Sequence, residues 1–438
     1  MNRAACAALA AVLAAGCAGE TGTISVSLTT APGSTLLDTV QTLRMTVTNP
    51  MQVFTAERTP SGFAIALELP ATGESTSLIV EGLDNAGTLI ANGASPHFPI
   101  GAINGRVVIY MAPPLSIGAA PLSLTPARSE LAIAALPYGA ILVGGRLASN
   151  APSDAVTIYN AFDHTLGAGM MMPAPRAGVA LGVGTGGAAY MFGGFDDGGS
   201  PTANLFRFDT TVAPAGAFSD YGVKEGFARA GQLALQIGNE KFLVTGTPAA
   251  EFSGLDGTVV VRDEVPALPA AGVSLTGNDG KLAAIFAGPD SVVRFRENTF
   301  TTLPIPTAAR ADANVVALPG GKVIVVCGSR DADLIDAASG TSERVLVGFQ
   351  AVAKTGCAAA ATSRHLIVVG GTAAGTVDAS VEVYDAATLA PLATLSLVVP
   401  RTNAVAFALP NDQILIAGGV DASGAPVGTL ELFTPPAS

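Results

Sequence analysis

The sequence predicts an all-β chain in two parts, a small sandwich followed by a circular array of four-stranded sheets, and three observations carry that expectation. Hydrophobic residues make up 49% of the 438 residues and charged residues 13%, with 51 Gly and 29 Pro. That mixture suits buried strands joined by dense turns, and it argues against disorder. Between residues 23 and 114 apolar residues alternate with polar ones at period two, the signature of half-buried strands. From residue 120 to 438 one strand pattern ends in glycine seven times, at intervals of 49, 52, 42, 40, 43 and 48 residues. A period of that length belongs to a β-propeller.

Charge narrows the partners. The formal net charge is −12 and no run of Lys or Arg occurs, so a nucleic-acid partner and adsorption to anionic lipid through a basic patch are both excluded. Stable contact with a bilayer is then expected to be covalent or through protein.

The first sixteen residues join one positive charge at Arg3 to an apolar run over residues 4–15 and a small-residue end at Gly16. This is the pattern of a secretory leader, about 12 apolar residues being too few to span a bilayer. The leader closes on Leu13-Ala14-Ala15-Gly16-Cys17, which resembles the signal of bacterial lipoproteins, with Ala14 where Leu is usual. The resemblance implies cleavage before Cys17, a diacylglycerol on its thiol and an acylated amine. Without Asp after Cys17, it further implies export across the inner membrane and sorting to an outer membrane, in the periplasm or at the surface. Residues 17–22 would form the lipidated tether. Cys6 leaves with the leader, so Cys327 and Cys357 are the remaining cysteines. They can pair if neighbouring strands bring them together in an oxidising compartment; the simpler expectation is two small buried apolar side chains.

In residues 23–114, Ile24, Val26 and Leu28 share one face, as do Leu43, Met45 and Val47, and Phe63, Ile65, Leu67 and Leu69. Asp84-Asn85-Ala86-Gly87 supplies a turn between strands at 76–83 and 88–93, and 106–111 closes the unit. Six or seven strands in this length resemble an Ig-like β-sandwich. Pro113-Pro114 marks its boundary.

In the repeats, the second strand of each copy ends at Gly144-Gly145, Gly193-Gly194, Gly246, Gly288, Gly328, Gly370-Gly371 and Gly418-Gly419. A basic residue stands 17 or 18 positions upstream in six copies, at Arg128, Arg176, Arg229, Arg310, Lys354 and Arg401; the fourth copy, near Ala270, has none. Downstream, Tyr159, Phe208, Tyr384 and Phe433 mark a third strand, with Val261, Phe295 and Ile335 expected in that role elsewhere. Three features in one register resemble the kelch family, although its usual Trp is missing because the chain has none. The resemblance implies a kelch-type β-propeller of seven blades, with six as the alternative count. The last copy stops after its third strand, so residues 121–125 are expected to supply the fourth and close the ring.

No catalytic set emerges. Gly182-Val183-Gly184-Thr185-Gly186-Gly187 matches the dinucleotide fingerprint, but a strand follows it where a helix is required, which makes it a hairpin turn. His97, His164 and His365 are scattered and expected in solvated loops; no metal set and no cofactor are anticipated, and the resemblance to copper radical oxidases of this fold stops there. Acids after the glycines, Asp196, Asp197, Asp331, Asp333, Asp378 and Asp421, would form either an acidic mouth or simple turn caps. These residues point to a membrane-anchored binding or scaffold module, not an enzyme, with an unknown protein or glycan as partner. The alternative is a carbohydrate-active enzyme resembling kelch sugar epimerases, which needs Arg128, Arg176, Arg229, Arg310 and Arg401 to point into a pocket with a carboxylate.

Overall fold

The computed structural model describes residues 21–437 apart from 61, 64, 71–72, 101–104, 169, 213–214, 225, 264–267, 270, 289–290 and 305–309. The leader, the lipidation site Cys17 and the first part of the tether lie outside the described residues.

Two main sheets build the N-terminal unit, beside a two-stranded one of Ser75–Thr76 and Phe98–Pro99. Ala66–Pro70, Thr21–Thr29 and Gly105–Tyr110 form one; Met51–Glu57, Thr42–Thr48, Leu78–Leu83 and Leu89–Ala94 form the other. The alternating residues do face the core: Ile24, Val26, Leu43, Met45, Val47, Leu67 and Leu69 are all buried in one cluster. Two details escaped the sequence reading. Met51–Glu57 is a full strand, and Thr21–Thr29 runs parallel to Gly105–Tyr110.

Among the described residues beyond this unit, seven four-stranded antiparallel sheets follow. Their innermost strands are Ala132–Leu136, Ala180–Val183, Ala234–Gly238, Ala271–Thr276, Asn314–Leu318, Ala358–Ala361 and Val405–Ala408, and each neighbours the next in order. The last neighbours the first, so the array is a closed β-propeller. We number the blades one to seven in that order. The core is divided accordingly: each pair of adjacent blades encloses its own hydrophobic cluster. Between blades two and three the filling is aromatic, with Phe192 and Phe227 centroids 5.0 Å apart and Tyr190 and Phe242 5.1 Å apart, a geometry favoured for offset and tilted rings.

Ring closure uses Ser116–Ser123, which pairs antiparallel with Thr429–Thr434 as the outer strand of blade seven. It starts before the expected segment at 121, because residues 116–119 already lie opposite 431–434. In blade three the third strand is Ala249–Ser253, with the buried Phe252 in the aromatic position. Val261 belongs instead to the outer strand Val259–Arg262. The loop after Gly246 is thus short, as in blades four and five, and the expected long spacing counted one strand too far.

The sandwich docks on the propeller face that carries the hairpins joining inner to second and third to outer strands, here the third-to-outer hairpin of blade one. Tyr110 donates its hydroxyl to Ala119 O at 2.9 Å and packs 5.7 Å from His164, while Val108 N donates to Phe162 O at 2.8 Å.

Candidate functional site at the channel mouth

The side chains of the six basic residues brace their own blades. Arg128, Arg176, Arg310, Lys354 and Arg401 are buried. Arg128 donates to Gly144 O and Ala155 O, each at 2.7 Å, and to Thr157 Oγ1 at 2.9 Å. Arg229 reaches Thr245 O and Pro248 O; Arg401 reaches Gly418 O and Thr429 O. Each of these three cations therefore ties the end of its own blade's second strand to the start of the third. The backbone at the basic position faces the preceding blade: Arg176 O, Arg229 O, Lys354 O and Arg401 O accept from Gly145 N, Gly194 N, Gly328 N and Gly371 N. This explains the double glycine. Gly144 has φ +59, and a Cβ there would lie 2.5 Å from Arg176 O, so no side chain fits between blades.

A residue near the start of the third strand completes the latch. Glu431 meets Arg401 and Asp333 meets Arg310, both at 2.5 Å, and Lys354 lies 3.1 Å from Glu382 and 2.8 Å from Asp378. In blade two Phe206 replaces the acid, with the Arg176 guanidinium 5.6 Å from its centroid, an attraction to the ring face. Arg128 has only neutral partners in hydrogen bonding, and burial pulls it down to about 10, partly offset by Asp154. The sequence reading missed Glu382 and Glu431 altogether. A signal existed: each stands two residues before the aromatic marker, at Tyr384 and Phe433.

Among the acids after the glycines, Asp196 and Asp421 cap their own loops and Asp331 caps the connection that follows the outer strand of its blade. Asp196 accepts from Ser200 N at 2.9 Å, Asp421 from Ser423 N at 2.8 Å, and Asp331 from Gly348 N at 2.7 Å. Asp333 and Asp378 serve the cations. The glycine-rich turn is a hairpin, and it is filled from the next blade. Gly186 N donates to Glu240 Oε1 at 3.0 Å, and a Cβ on Gly184 would fall 2.1 Å from that carboxylate. Two histidines depart from the solvated-loop expectation. His164 is 2% exposed beneath Tyr110 and bonded to Tyr159 Oη at 2.6 Å; His365 is 5% exposed at a strand start, 5.8 Å from Phe433. Burial of both follows from loops that lie under the sandwich or between blades, which local composition does not report. His97 is exposed. Cys327 and Cys357 are joined by a disulfide with Cα atoms 6.1 Å apart, linking blade five to blade six.

With the cations buried, the channel mouth is built from the residues just after them in the chain. Two positions beyond the basic residue, Glu130, Gly178, Gly231, Gly356 and Asn403 all have positive φ. Gly178 N donates to Glu130 O, Gly231 N to Gly178 O, and Asn403 N to Gly356 O. At blade five a side chain takes the carbonyl's place, Gly356 N donating to Asp312 Oδ2 at 2.6 Å. These bonds form two arcs, over blades one to three and five to seven, around a cavity of about 390 Å³. Its polar lining includes Gln232, Asp312, Asn314 and Asn403, and its apolar walls include Leu131, Ile133, Leu181 and Val405. Amides and a carboxylate over aliphatic walls suit a neutral, hydroxyl-bearing ligand better than an anion. None of the six basic residues lines it. Among the described residues no cluster of His, Cys, Asp and Glu has metal-binding geometry.

The chain is similar to the structure of streptogramin B lyase, with a TM-score of 0.51 and 13% identity over 72% of this chain and 96% of that one. It is also similar to the structure of YjhT, with a TM-score of 0.42 and 15% identity over 59% of this chain and 95% of that one. At these identities the likeness is one of fold, a β-propeller. No family model and no curated protein matches the chain.

Proposed function

We propose that the chain is an envelope lipoprotein of kelch type that binds a glycan or a glycosylated protein at the channel mouth, with its Ig-like sandwich as a spacer from the membrane. The carrying observation is the mouth itself, a cavity with four polar side chains and aliphatic walls on the face opposite the sandwich. Placement supports the spacer. Thr29 pairs with Tyr110 beside the propeller, and Thr21 begins the same strand, so the chain enters about 26 Å away at strand rise. An anchor at Cys17 would then hold the mouth away from the lipid. The epimerase alternative loses its premise, since its arginines serve backbone carbonyls and acids within their own blades.

The test is a glycan array, read alongside capture of envelope proteins before and after deglycosylation, with the wild type and an Asp312→Ala/Asn403→Ala variant. Binding that falls roughly tenfold or more in the variant supports the reading. Equal binding by both, or turnover of a sugar by the wild type, contradicts it. The anchor is checked separately, by palmitate incorporation into the wild type and not into Cys17→Ser.

A further inference from the structure

The junction between the two domains holds a second cavity, of about 100 Å³, between the outer face of the four-stranded N-terminal sheet and blades six and seven. Two amides span it in opposite senses. Asn92 Nδ2 donates to Pro435 O at 3.0 Å, and Asn411 Nδ2 donates to Ala94 O at 3.1 Å. The domains are thereby held together at the rim of the cavity. One group is left over: Asn92 is 6% exposed, and its Oδ1 is buried without a partner among the described residues. An acceptor stranded in that way has lost its hydration without gaining a partner, a loss that a donor entering the cavity would offset. The bond to Pro435 O fixes which end of the amide is left over.

The other walls decide what kind of donor. Arg364 and His97 line the cavity and carry N–H groups, Asp412 adds a carboxylate, and Pro410 and Pro435 contribute no amide N–H. An anion offers only lone pairs, which would face Asn92 Oδ1 and Asp412. An ammonium offers only donors and would face Arg364. A hydroxyl both donates and accepts, so it matches both sides of the wall. We propose that this cleft binds a small polyol or the terminal pyranose of a glycan, through a hydroxyl donating to Asn92 Oδ1. This goes beyond the channel-mouth reading and does not depend on it.

Saturation-transfer NMR on the full exported chain tests it, with mannitol and methyl α-D-glucopyranoside as probes. Transfer to either probe is expected in the wild type and is weakened roughly tenfold by Asn92→Leu, while Asp312→Ala at the channel mouth leaves it unchanged. Because Asn92→Leu also removes the bond to Pro435, Ile79→Phe serves as a second variant. It fills the cavity from its apolar wall and leaves both asparagines intact, and the same loss is expected. Absence of transfer at millimolar probe in the wild type, meaning that the cavity holds water only, overturns the proposal. Undiminished transfer in Ile79→Phe, or loss of transfer in Asp312→Ala, does so as well.

Discussion

Arg401 and Glu431 are both fully buried and 2.5 Å apart, and the carboxylate also accepts from Val398 N and Val399 N. Removing one charge from such a pair leaves the other desolvated, at a cost of about 3–5 kcal/mol. Arg401→Met is therefore expected to lower the urea midpoint of unfolding sharply, and Arg401→Met/Glu431→Leu to recover much of the loss. A double variant no more stable than the single one would show that the pair is not the source. His164 has a pH signature. Burial holds its imidazole down to about 4, with Asp163 opposing, against about 6.5 in an unfolded chain. Between those values the unfolded state takes up a proton that the folded state refuses. Stability from this residue is therefore present above about pH 6.5 and is lost as pH falls towards 4. His164→Asn, which tolerates the observed φ of 55, is expected to flatten that part of the pH dependence; an unchanged slope would contradict the assignment.

At the level of strands, the legible part came from spacing, and the rest depended on contact across blades. Glycine, the basic residue and the aromatic recur in register because one position in every blade meets the same neighbours. The sheet edge at Met51–Glu57 was missed because its half-buried side chains, including Phe54 and Ala56, alternate with exposed Met51 and Val53, so hydropathy showed no polar face. Phe252 was missed because its loop is short. The mouth residues Gln232, Asp312, Asn314 and Asn403 carry no motif; they become a set only when the ring brings inner strands together. Cys327 has positive φ and stands where other blades have the first glycine of the pair, and Cys357 opens the next inner strand. Their bond closes a loop of 30 residues, a length at which a disulfide contributes about 3–4 kcal/mol. Cys327→Ala/Cys357→Ala is expected to lose about that much in chemical denaturation; a loss near zero would mean that the backbone bond from Gly328 N to Lys354 O and the packing between blades five and six already restrain this edge.

Across the whole molecule, strand Ser116–Ser123 does two jobs. It completes blade seven, and through Tyr110 and Ala112 just before it, the sandwich enters the hydrophobic cluster between blades seven and one. Closure of the ring and docking of the sandwich are therefore coupled, and neither terminus of the propeller is left as a free sheet edge. The channel mouth depends on the same closure, because residues of blades seven and one, on either side of the seam, both line it. The pairing of Ser116 with Thr434 gives the most direct test. In Ser116→Cys/Thr434→Cys, oxidation should yield a peptide cross-linked between those positions, detected by mass spectrometry, and should raise the melting temperature. Two free thiols under the same oxidation, with melting unchanged, would contradict a ring closed by its own N-terminal strand.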